Sequence, residues 1–67
     1  MKRTYTISTK REANMIWCYC VQEPNVYGYY NSEGEASSDL RYQLKHEIMF
    51  KEGRVPDEEI ELQFEYV

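Results

Sequence analysis

From Ile60 to Tyr66 the chain alternates without a break: Ile60, Leu62, Phe64 and Tyr66 are apolar or aromatic, and Glu61, Gln63 and Glu65 are polar. A period of two predicts a half-buried strand with the glutamates on its wet side. The same alternation runs over residues 3–9, where Tyr5 and Ile7 share a side with Arg3 and Thr9 while Thr4, Thr6 and Ser8 project to the other. Residues 10–14 then read as a polar hairpin loop. Residues 15–21 form the most hydrophobic run, with Met15, Trp17, Tyr19 and Val21 on one side and Ile16, Cys18 and Cys20 on the other. A strand apolar on both sides belongs at the centre of a sheet, or presents one side to a partner. Pro24, which brings no amide to a ladder, and Asn25 end it. Residues 26–30 read as a short third strand in which Gly28 marks a bulge or a close backbone approach.

One stretch changes period. Over residues 38–52, Leu40, Leu44 and Ile48 recur every fourth position, the spacing of one helix face. Tyr42, Leu44, His46, Ile48 and Phe50 also alternate as a strand would, so composition has to decide. Arg, Gln, Leu, Lys, Glu and Met are good helix formers, and Ile48 is the only β-branched residue inside. Ser37, Ser38 and Asp39 offer side-chain oxygens to the first turn, and Gly53 followed by Pro56 ends the helix. Residues 31–37 are then a polar loop around Gly34. The order is β-β-β-α-β in a single domain over residues 1–67. This is an α+β fold, a small antiparallel sheet with one helix packed on one face.

The core this pattern assembles is thin: Ile7, Ile16, Val21, Leu40, Leu44, Ile48, Val55, Ile60 and Leu62, with Met15, Trp17, Phe50 and Phe64. At 67 residues a single core barely suffices, and a homodimer or a permanent partner would relieve the shortage. The net charge of −4 is unevenly spread. Lys2, Arg3, Lys10 and Arg11 precede the first acid, whereas Glu52, Asp57, Glu58, Glu59, Glu61 and Glu65 face the single base Arg54. Such asymmetry serves either attraction between neighbouring terminal strands or an acidic face for a basic partner.

Little in the sequence points to reaction chemistry. Cys18 and Cys20 share one side of a strand, and only His46 could join them, short of the four ligands a structural zinc needs. They read as buried structural thiols. No phosphate-binding loop, dinucleotide fingerprint or nucleophile elbow is present, and no cofactor is expected. Met1-Lys2-Arg3 leads into alternating polar residues and no apolar run is long enough to span a bilayer, so a cytoplasmic protein without a membrane partner is expected.

The tyrosines carry more information. Tyr19, Tyr27, Tyr29 and Tyr30 cluster near Trp17, and period two puts Tyr27 and Tyr29 opposite Tyr30. One helix cannot cover both sides, so some rings are expected at the surface, where Tyr and Trp anchor interfaces. The expected partner-binding set is Tyr27, Tyr29 and Tyr30 with Asp57, Glu58, Glu59, Glu61 and Glu65. Stacking on a single-stranded nucleic acid would use such rings too, but normally beside a basic groove, which ranks direct nucleic-acid binding lower.

The three strands, the turn at Gly28-Tyr29-Tyr30, the polar loop through Asn31-Ser32-Glu33-Gly34 and the helix from Ser38 resemble HicB-type antitoxins. That resemblance implies a partial ribonuclease-H-like fold that binds and neutralises a small toxin. The chain departs from the family in its turn, where Glu23-Pro24-Asn25 stands in place of a Pro-Asp-Leu-Pro-Gly-Cys-like segment, and in lacking an Ala/Glu-rich helix. In size and character the chain also looks like the small inhibitors phages encode against host defence, such as anti-CRISPR or anti-restriction proteins. The leading expectation is a non-enzymatic acidic protein that inhibits or modulates a larger protein with a basic surface, such as a nucleic-acid-binding protein. An antitoxin module and a small nucleic-acid binder are the alternatives.

Overall fold

The computed structural model describes residues 2–67, which form β1 (Lys2–Glu12), β2 (Met15–Cys20), β3 (Tyr27–Tyr30), α1 (Glu33–Glu52) and β4 (Glu59–Tyr66). The α+β class and the element order are as the patterns predict. The strands make one four-stranded sheet in the order β3-β2-β1-β4. β1, β2 and β3 are antiparallel neighbours, whereas β4 lies parallel to β1. The sheet is therefore mixed, not antiparallel throughout. The helix is the cause: α1 crosses the sheet and returns the chain to the end where β3 began, so β4 runs with β3 and with β1.

β1 is longer than its alternation suggests. It pairs as far as Glu12 with Met15, leaving only Ala13, at φ 55°, and Asn14 in the turn. Arg11 remains on the sheet with its guanidinium 4.8 Å over the Tyr66 ring.

α1 begins at Glu33, not at Ser38, because a cap lies in the segment that reads as a loop. The Ser32 hydroxyl accepts the Glu35 amide at 3.3 Å, and the Glu35 carboxylate accepts the Asn31 amide at 3.4 Å. This is a Ser-x-x-Glu cap, with Glu33 and Glu35 favourably placed in the first turn. The added turn brings Ala36 into the buried stripe with Leu40, Leu44 and Ile48. Gly53 ends the helix at φ 74°, its amide bonded to the Met49 carbonyl at 2.8 Å.

α1 covers one side of the sheet. That side supplies Ile7 and Thr9 from β1, Ile16, Cys18 and Cys20 from β2, Tyr30 from β3 and Ile60 from β4, with Tyr5, Leu62 and Phe64 partly covered. Four residues that the pattern assigns to the core are exposed instead: Met15, Val21, Phe50 and Val55. Met15 and Val21 belong to the side that α1 does not reach. Phe50 lies off the helix stripe, and Val55 sits in the connection after Gly53. Gly28 is a close approach and not a bulge: pairing is continuous through it, and a Cβ there would collide with the Tyr30 phenol. Among the described residues no helix is long and apolar enough to cross a membrane.

Candidate interaction face

Among the described residues no element covers the side of the sheet away from α1. Alternation and register place Tyr27 and Tyr29 of β3 on it, then Met15, Trp17 and Tyr19 of β2. Thr4, Thr6, Ser8 and Lys10 of β1 follow, and Glu59, Glu61, Gln63 and Glu65 of β4 finish the row. The surface thus grades from aromatic through hydroxyl to acidic.

At the aromatic end Trp17 faces Tyr29 across the ladder, with ring centroids 4.8 Å apart, and meets Tyr27 at 5.6 Å. Both contacts are tilted, a favourable arrangement for aromatic pairs. Tyr27 and Tyr29 remain 53% and 54% exposed while packed against Trp17. The Tyr29 hydroxyl donates to the Glu12 carboxylate at 3.4 Å. These rings are fixed at their base and open above, a preorganised contact surface.

Tyr30 is not part of it. Its ring is buried under α1, and its hydroxyl donates to Asp39 and accepts from Gln43 Nε2 at 3.3 Å. Burial, reinforced by the Asp39 carboxylate, pushes the phenol well above its usual pKa. Gln43 has a further role at the rim of the sheet. Its side-chain carbonyl accepts the Tyr27 amide at 3.3 Å and its Nε2 donates to the Tyr27 carbonyl at 3.0 Å. The side chain therefore closes the outer edge of β3 at Tyr27 much as a neighbouring strand would.

At the acidic end Glu59, Glu61 and Glu65 stand on the open side, and Asp57 is exposed just before them. Glu61 pairs with Lys2 at 3.2 Å. Glu58, expected with them, turns away to Arg3 at 3.2 Å and Arg54 at 3.4 Å. Arg3 also grips Glu52 through two bonds of 2.8 and 2.9 Å, and this guanidinium holds the Glu52 carboxyl below its usual pKa. Part of the terminal charge asymmetry is thus used to tie β1 to the helix end and to the approach to β4.

Cys18 and Cys20 lie side by side in the core, where burial pushes both thiols up in pKa. His46 sits exposed on α1 with its ring 4.4 Å from that of Tyr42. Among the described residues no group of three or more His, Cys, Asp or Glu side chains could hold a metal ion. A second surface lies on α1: Tyr42, Met49 and Phe50 are exposed beside a groove of about 510 Å³ that also touches Val26 and His46. Its signal was the second stripe Tyr42, His46, Met49, Phe50, at helical spacing but displaced from Leu40, Leu44 and Ile48. No protein-family model, curated protein or solved structure matches the chain.

Proposed function

We propose that this chain is a non-enzymatic binding module that lays the open side of its sheet on a basic surface of a larger protein and modulates that protein by covering it. The observation that supports this reading is the Trp17–Tyr27–Tyr29 cluster, its two tyrosines half exposed on a side that no element covers among the described residues. Tyr and Trp bury large areas on binding at little cost in rotamer entropy. The glutamates at the other end of the same side complement lysines and arginines of the kind that hold phosphates, which favours a nucleic-acid-binding protein as partner. A nucleic acid itself fits less well, because Glu59, Glu61 and Glu65 share this side with Lys2 and Lys10 and no basic groove forms.

The test is affinity capture from the native host with the wild type and with Tyr27→Ala/Tyr29→Ala, followed by kinetics on the captured partner. The wild type is expected to retain a protein that dissociates about ten to a hundred times faster from the double variant. Glu61→Lys/Glu65→Lys should instead slow association and unfold like the wild type, while Tyr27→Ala/Tyr29→Ala should still fold, with some loss of stability from its two contacts with Trp17. Equal retention by the tyrosine variant, or recovery of nucleic acid alone, would reject the proposal. Recovery of a small ribonuclease would favour the antitoxin alternative.

A further inference from the structure

We infer that the outer edge of β4 accepts an extended segment of a protein partner, added as a strand whose alternate residues are lysine or arginine and whose remaining residues are apolar. The inference rests on the reading of this chain as a protein-binding module, but it uses the rim of the sheet instead of its open side.

In a parallel ladder the amide and carbonyl of one residue point to the same side, and successive residues alternate. Two bonds fix the phase in β4. The Val67 amide reaches inward to the Thr9 carbonyl at 2.9 Å, and the Ile60 carbonyl accepts from Arg41 Nε at 3.1 Å on the outside. Leu62, Phe64 and Tyr66 therefore turn their amides and carbonyls away from β1, at an edge where no strand follows. The two rims differ. β3 is four residues long and sealed at Tyr27 by Gln43, whereas β4 is eight residues long and capped only at Ile60. β4 holds no proline, no lysine and no bulge, so its only guard is the row of Glu59, Glu61 and Glu65, which repels acidic or identical strands but not a basic one.

Side-chain chemistry selects the occupant. On the open side any added strand passes beside Glu59, Glu61 and Glu65, and only Glu61 has an ion-pair partner among the described residues. A second copy of this chain is excluded by that row, because edge-to-edge pairing in antiparallel register sets glutamate against glutamate. A strand with basic residues at alternate positions meets it favourably. On the helix side Leu62 and Phe64 are only partly buried at the margin of the core, so the intervening apolar residues would extend that core.

The probe is a synthetic peptide of alternating lysine and valine, compared with one of alternating glutamate and valine and one of the same lysine and valine content with the lysines grouped at one end. Binding to the full chain is followed by residue-resolved amide exchange. With the alternating basic peptide at about ten times its dissociation constant, the Leu62, Phe64 and Tyr66 amides should exchange about tenfold more slowly. The Glu61, Gln63 and Glu65 amides, already in the ladder, should not change. Glu61→Lys/Glu65→Lys should transfer the preference to the glutamate peptide, with the same amides protected. Binding without protection of those amides, or equal protection by the grouped peptide, would overturn the inference, and so would a dimer of the chain paired through β4. If the peptide fails while capture of the native partner still depends on Tyr27 and Tyr29, the edge is not a site and the open side remains one.

Discussion

Tyr30 joins the two layers of the molecule at a single point. Its ring lies over Gly28 and its hydroxyl sits between Asp39 and Gln43, so it ties β3 to α1. The folded chain holds this phenol protonated beyond its ordinary value of 10.0, first through burial and then through Asp39. The unfolded chain releases that proton earlier. Stability from this site is therefore complete below about pH 10 and declines as pH rises further. Cys18 and Cys20 act with the same sign from their ordinary value of 9.0 upward. Urea unfolding should accordingly show stability falling as pH rises beyond about 9. Tyr30→Phe should cost about 1.5–3 kcal/mol at neutral pH, the range for a hydrogen bond to a charged group, and should flatten the decline above pH 10 while leaving the thiol contribution. An unchanged slope would assign the alkaline loss to other groups.

At the level of elements, period two was enough to place β1, β2 and β4 and to separate Tyr27 and Tyr29 from Tyr30. The stripe of Leu40, Leu44 and Ile48 was enough for the body of α1. The start of α1 was harder to read, because Gly34 and its polar neighbours look like a loop, although Ser32 and Glu35 already carried the cap. The parallel placement of β4 is a property of the crossover and not of any pattern within the strand. Glu58 leaves the acidic row because it shares the parity of Ile60 and not of Glu59, Glu61 and Glu65, and Arg3, from the opposite end of the chain, then reaches it, a meeting that no local spacing encodes. The core stripe and the displaced stripe can be told apart by truncation. Leu44→Ala, at a fully buried position, should cost about 2–5 kcal/mol in chemical denaturation. Phe50→Ala, at a residue 88% exposed, should stay within about 0.5 kcal/mol of the wild type. Equal losses would place Phe50 in the core after all.

Over the whole molecule, one side of the sheet closes the core while the other displays its rings and acids, and the two rims of the sheet are finished differently. Gln43 controls that difference, since its amide satisfies the Tyr27 backbone that would otherwise be bare. Gln43→Ala should leave the side of α1 facing the core intact but uncover that backbone. Sedimentation velocity should then show concentration-dependent association that exceeds that of the wild type, and identical profiles would show that the Gln43 bonds do not restrain pairing. The seal also has a consequence for growth. A sheet fragment with two reactive ends is a monomer for a fibre, whereas one with a single reactive end is a chain stopper. With Gln43 in place only the Tyr29 backbone is left bare on the β3 rim, too little for a ladder, so the molecule belongs to the second kind: a strand added at β4, as inferred above, would end the addition there and give a discrete complex in place of a polymer.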